Sequence, residues 1–272
     1  MNKENKYNGV IIYYANELAR NYSKFSLEEQ KALHLIFSHI KPFEKNPTTF
    51  KIEKKSFFEK LNIVGTDKYK RYEKIIVNLI DKTFTEIFKK ETNSKLIGRV
   101  ISDAEWFYKE NYFEISISNK FMPYIEQLVN HYTKLNLDSI VLFKSKYALT
   151  LYKWLCSWND ENKKINQRYI TTKDLKELLG LSKEAYMQGI KFNRSHFERR
   201  IINPVILEIN KKTNFNLNVS KKKNGAKVEN YEFTWSQKDK TNADNHTKQN
   251  ANKRQSLIDK QTQMLLDNLI SN

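Results

Sequence analysis

One succession of amphipathic segments occurs twice in this chain, so its fold has to accommodate two similar units. The first runs from "SLEEQKALHLIFSHI" (Ser26 to Ile40), where Ser26 and Glu29 have the spacing of a capping box and Leu33, Ile36, Phe37 and Ile40 share a helical face. A short strand "TTFKI", a short helix "EKKSFFEKLNI" and a longer helix "DKYKRYEKIIVNLIDKTF" follow, then "TEIFKK", "LIGRVISDAEWFYK" and "NYFEISIS" with the alternation of antiparallel strands. The second unit begins at "SKYALTLYKWLCSW" with Ser145 as cap and continues through "RYI" and "TTKDLKELLGL" to "NRSHFERRIINPVILEINKKT". It closes with "FNLNV" and "KVENYEFTW" on either side of a lysine-rich turn. Ile52 and Ile63 match Ile170 and Leu181 at an offset of 118, while Tyr72, Ile76 and Ile80 match Phe197, Ile201 and Val205 at an offset of 125.

Helix, strand, helix, helix and hairpin is the order of a winged helix, a helix-turn-helix variant whose hairpin lies beside the recognition helix. The expected class is therefore α+β: two tandem winged-helix domains related by internal duplication, at residues 1–130 and 131–236. The connector "VNHYTKLNLDSIVLFK" reads as partly strand-like, and with no Gly or Pro run it should hold the domains together rather than tether them loosely. Residues 237–272 change composition and read as a disordered tail with one short amphipathic helix at "SLIDKQTQMLLDNLI".

Charge narrows the partner. Lys and Arg number 48 against 31 Asp and Glu, a formal +17, which suits a polyanion: nucleic acid first, an anionic membrane surface second. No apolar run approaches a membrane span, the N-terminus is polar, and Cys156 is the single cysteine, in an apolar helical context that favours a small buried residue over a nucleophile. A cytoplasmic protein is expected. Neither a phosphate-binding loop nor a dinucleotide fingerprint occurs among the six glycines, and the five histidines include no H-E-x-x-H and no pair separated by one residue, the arrangement DNA-nicking enzymes use to hold a metal. The expectation is no catalytic residue, no metal site and no cofactor.

The second unit concentrates the positive charge. Between Lys191 and Lys227 there are ten Lys or Arg against two acids, Glu198 and Glu208. A helix that buries Phe197, Ile201, Val205 and Ile209 turns Asn193, Arg194, His196, Arg199, Arg200 and Asn203 to its other faces. Arg can pair with guanine and Asn with adenine in a major groove. Lys221, Lys222, Lys223 and Lys227 surround Asn224-Gly225, a tight-turn dipeptide, and would meet phosphates or an adjacent minor groove. Pro204 should kink or restart the helix. The matching place in the first unit offers Lys68, Lys70, Arg71 and Lys74, but its hairpin carries Asp103, Glu105 and Glu110. That divergence points to different tasks for the two units. A basic surface that meets only solvent is the competing account of all these positions.

The stretches "NELARNYSKFSLEEQKALHLIFSHI", "SKYALTLYKWL" and "FNRSHFERRIINPVILEINKKTNFNLNV" resemble the RepB-type plasmid replication initiators, over roughly Val10 to Trp235. The resemblance implies binding of direct repeats at a replication origin, opening of adjacent AT-rich DNA and recruitment of host initiator and helicase machinery. It also implies a monomer in equilibrium with a homodimer joined through the first domain, the dimer repressing its own gene. DNA contacts carried over from the family fall on Asn193, Arg194, His196, Arg199 and Arg200, on Lys221 to Lys223, and in the first domain on Lys68, Lys70 and Arg71; Lys191 and Lys227 join them from the charge pattern. A transcription regulator of the same fold and a rolling-circle nicking initiator remain the alternatives.

Overall fold

The protein is described from a computed structural model covering residues 10–19, 25–61, 67–89, 92–126, 128, 132–224 and 227–238. The tail expected to be disordered and its short helix lie outside the described residues, as do Ile63 and Gly225. The first half runs β1 (Ile11–Ala15), α1 (Asn16–Ala19), α2 (Leu27–Phe37), β2 (Thr49–Glu53), α3 (Lys54–Leu61), α4 (Lys68–Lys82), β3 (Phe84–Lys89), β4 (Ser94–Arg99), β5 (Ile101–Trp106) and β6 (Tyr112–Ile117). After a 3-10 turn (Met122–Tyr124) come β7 (Tyr132–Asn136), α5 (Leu137–Leu142), α6 (Lys146–Cys156), β8 (Asn166–Thr171) and α7 (Thr172–Leu178). A two-stranded ribbon, β9 (Met187–Gln188) and β10 (Lys191–Phe192), leads into α8 (Arg194–Phe197), a π turn (Glu198–Ile202) and α9 (Asn203–Lys212), and the wing is β11 (Phe215–Asn224) with β12 (Lys227–Gln237).

Both domains are winged helices. In the first, α3 and α4 pack on an antiparallel sheet ordered β2-β6-β5 with α2 against both helices; in the second, α7 and α9 pack on one ordered β11-β12-β8 with α6 against α9. Local chemistry starts the helices where the sequence indicates. Ser26 Oγ accepts the Glu29 N–H at 3.2 Å and Glu29 Oε2 accepts the Ser26 N–H at 2.8 Å, closing the capping box. Ser145 and Thr171 likewise accept N–H groups at the starts of α6 and α7. Gly180, at φ 67°, ends α7 in the left-handed region, and the Leu181 N–H returns to the Lys176 carbonyl at 2.8 Å. The matched apolar positions turn inward in both domains: Tyr72 and Ile76 of α4 are buried and Ile80 half-buried, and Phe197, Ile201 and Val205 are buried. A shared fold accounts for that match; duplication stays an expectation.

Several local expectations need correction. "LIGRVISDAEWFYK" is not one strand. Val100, fully buried, breaks it, so that β4 pairs with β3 in a separate two-stranded sheet while β5 pairs with β6. The connector does contain a strand, β7, that pairs antiparallel with β1; the helix that follows it, α5, capped by Asn136, was not expected. Pro204 stands at the start of α9, where the π turn gives way to α-helix, so the helix restarts there as expected but without a break. The π turn before it places the Asn203 N–H on the Glu198 carbonyl, so the chain passes the proline, which has no N–H of its own, as one continuous helix. The wing ladder closes at Asn224–Lys227, one position later than a turn centred on Asn224-Gly225, and a register shift between Lys222 and Lys223 leaves Glu229 unopposed.

A single apolar core runs through both domains. The first helices of the two units, α2 and α6, meet directly, with Gln30 Nε2 donating to Thr150 Oγ1 at 3.2 Å and His34 wholly enclosed. Cys156 is buried as expected, and burial pushes its thiol well up. Among the described residues no helix is long and apolar enough to cross a membrane.

Candidate nucleic-acid interface

The recognition helix of the second domain starts at Asn193, whose side-chain oxygen accepts the His196 N–H at 3.0 Å. That amide oxygen is therefore engaged in capping. Phe197 anchors the helix: its ring lies 5.4 Å from Tyr186, 5.5 Å from Phe192 and 6.2 Å from Tyr231. His196 is half-buried edge-on to Tyr186 at 5.4 Å. With the core face fixed in this way, Arg199, Arg200 and Asn203 are exposed along the outer side.

Arg194 behaves differently from Arg199 and Arg200. It is half-buried, its guanidinium carbon 5.8 Å from the Phe192 ring centroid, and it hydrogen-bonds the Tyr231 hydroxyl. Burial and the Glu198 carboxylate push the Tyr231 phenol up; Arg194 pulls it back only in part. Tyr231 donates to Glu198 Oε1 at 3.1 Å, while Glu198 Oε2 holds Lys221 of the wing at 2.7 Å. One carboxylate thus ties the recognition helix to the wing.

Lys222 is held in the same manner, 3.4 Å from Glu232 Oε2. Glu232 also accepts from the Tyr169 hydroxyl at 2.6 Å, from the Ser220 hydroxyl at 2.8 Å and from Gln167. The Tyr169 and Ser220 hydroxyls, with Lys222, hold its carboxyl below the usual range against the opposing effect of burial. Both lysines keep about half their side-chain surface in solvent, 49% and 54%. The wing is thus a partly compensated cationic surface rather than a row of bare ammonium groups. Nothing in the lysine run marked Glu198 and Glu232 as partners, because strand pairing brings Glu232 there and the seating of the helix against the wing brings Glu198.

Of the remaining expected contacts, Lys191, Lys70 and Arg71 are exposed. Lys70 lines an open groove with Tyr69, Trp106 and Tyr108 between α4 and the first wing. Lys68, Lys223 and Lys227 fall in elements whose backbones are described, but their side chains lie outside the description. The first hairpin places Glu110 near its tip, with Asp103 and Glu105 exposed along β5, so it presents acid where the second wing presents lysine. Among the described residues no group of three His, Cys, Asp or Glu is placed to hold a metal.

Two family models match successive parts of the chain, the first of them reaching through α6. "Initiator Replication protein, WH1" covers residues 11–156 and "Initiator Rep protein, WH2" covers residues 171–235. The chain belongs to the initiator replication protein family. A replication initiation protein of Escherichia coli is 22% identical over 227 residues, which is 78% of this chain and 66% of that protein, so the chain spans slightly less than two thirds of its relative. Among solved structures, the Pi initiator protein in complex with iteron DNA superposes with a TM-score of 0.69 at 20% identity, over 85% of this chain and 98% of that one. At that identity the likeness establishes the fold alone.

Proposed function

We propose that this chain is a plasmid replication initiator that binds repeated double-stranded DNA at an origin. The observation that carries the reading is the exposed Arg199–Arg200–Asn203 face of a recognition helix fastened by Glu198 to a cationic wing, within a chain matched by family models over both domains. The structural neighbour that was crystallised on iteron DNA supports the same partner. In this reading Arg199, Arg200 and Asn203 meet base edges, and Lys191, Lys221, Lys222, Lys223 and Lys227 meet phosphates. Lys68, Lys70 and Arg71 supply accessory backbone contacts. The first domain (residues 1–130) carries dimerisation and residues 131–236 carry sequence recognition; host initiator and helicase machinery is recruited to the bound repeats. The protein acts in the cytoplasm, represses its own gene as a dimer and has no active site of its own.

The test is a salt titration of binding, by fluorescence anisotropy, to duplex from beside the gene and to a shuffled duplex. A preference for the flanking duplex that persists as salt rises is expected. Equal binding that collapses with salt would reduce the surface to general charge attraction. A plasmid carrying only this gene and its flanking DNA then separates an initiator, which maintains it, from a transcription regulator, which does not.

A further inference from the structure

Between the two helices of the second helix-turn-helix stands the β9–β10 ribbon, and its tip is Ile190, 95% exposed. A single exposed isoleucine means little by itself; the way this one is mounted gives it significance. Lys176, buried, donates from Nζ to the carbonyls of Lys183 and, at 2.7 Å, of Ala185, fixing the loop that leads to the ribbon. Tyr186 is held at φ 62°, a conformation costly for a non-glycine residue. It is kept there by its ring contacts with His196 and Phe197 and by its carbonyl, which accepts the Asn193 N–H at 2.7 Å. Gly189, at φ 56° with open space around it, makes the two-residue turn that points Ile190 outward. A chain that anchors a short ribbon this firmly, three residues before the cap of its recognition helix, is displaying the tip.

We infer that Ile190 is an apolar base-reading contact: on bound duplex it packs against the C5-methyl of thymine in the major groove, next to the bases met by the recognition helix. Lys183, in the loop before the ribbon, and Lys191, next to Ile190 in the chain, are both exposed. They provide the phosphate attraction that brings a branched alkyl group to the groove, and thymine methyl is the apolar feature a major groove offers. This inference rests on the duplex-binding reading above and adds a sequence determinant to it.

The experiment replaces the thymines of a preferred duplex from beside the gene, one at a time, with deoxyuridine, which removes only the methyl group. Affinities are measured for the unaltered chain and for Ile190→Ala, whose thermal midpoint should be unchanged because the side chain is almost fully in solvent. At one or two positions uracil should weaken the unaltered chain by about fourfold, the worth of one buried methyl. Ile190→Ala should be weakened by a similar factor on thymine duplex and no further on uracil duplex. Uracil effects that are the same for both proteins at every position overturn the inference while leaving the initiator reading intact. Absence of any preference for the flanking duplex over a shuffled one overturns both.

Discussion

Arg194 and Arg199 stand five residues apart and look interchangeable in sequence, yet they occupy different environments. Arg194 reaches Tyr231, on a strand 37 residues later, and lies over Phe192; Arg199 is in solvent. Their substitutions should therefore separate. Arg199→Ala is expected to cost on the order of 1–3 kcal/mol on the preferred duplex and to relax base preference, as read from competition between duplexes. Arg194→Ala should weaken preferred and shuffled duplex alike and lower stability by about 1 kcal/mol in urea denaturation, because it loosens the seat of the helix. If Arg194→Ala altered base preference without touching stability, its assigned role as a packing group would be wrong. The helical period made both arginines visible as a polar face; it carried no information about Tyr231, since that contact is made across the wing.

At the scale of elements, caps and amphipathic faces were legible because they depend on residues within one or two turns, as the Ser26–Glu29 box and the Ser145 cap show. Long-range pairing was not. Glu29 does more than cap: Lys82 of α4 reaches both its oxygens at 2.7 Å and Asn78 donates at 2.8 Å, locking α2 to α4. Burial would raise this carboxyl, but Lys82, the Ser26 N–H and Asn78 together leave it below its ordinary value. A lowered folded pKa gives stability that is present above the unfolded value near 4.5 and is lost as pH falls through the folded one. Glu29→Ala should cost about 3 kcal/mol near neutral pH, measured by urea denaturation, since Lys82 is left half-buried without its acid. The wing calls for a different measurement. Changing Lys221, Lys222 and Lys223 to Ala should reduce the slope of log K against log salt by about 1 for each lysine that meets a phosphate. An unchanged slope would mean that Glu198 and Glu232 already occupy Lys221 and Lys222, and that the wing is ordinary solvated surface.

For the molecule as a whole, the question is what holds two winged helices in one arrangement. The lack of Gly or Pro in the connector suggested a fixed pair, and the core that passes between α2 and α6 supplies the reason. The same crossing contains two groups that burial keeps short of protons. His34, bonded to the Tyr14 hydroxyl at 3.0 Å and to the Gln30 carbonyl, is held down to about 3 by its enclosure, with Lys153 nearby adding repulsion. Lys153 is itself lowered from 10.5 to about 7 by complete burial. Lys153 stands among apolar residues of α6, and its burial depends on tertiary packing that the pattern of one helix does not contain. The signs follow from linkage. Between about pH 7 and 10.5 the unfolded chain holds the Lys153 proton and the folded chain does not, so stability rises with pH across that window. Below pH 6.5 the unfolded chain protonates the imidazole while the folded chain resists, so His34 weakens the fold as pH drops. Lys153→Met keeps the volume and removes the ammonium. It should raise unfolding free energy near pH 7 by about 1–3 kcal/mol and flatten the rise toward pH 10. Urea titrations of both proteins at intervals from pH 6 to 10 read this directly. Parallel curves with no gain at pH 7 would show that Lys153 is not the group that limits the stability of the domain crossing.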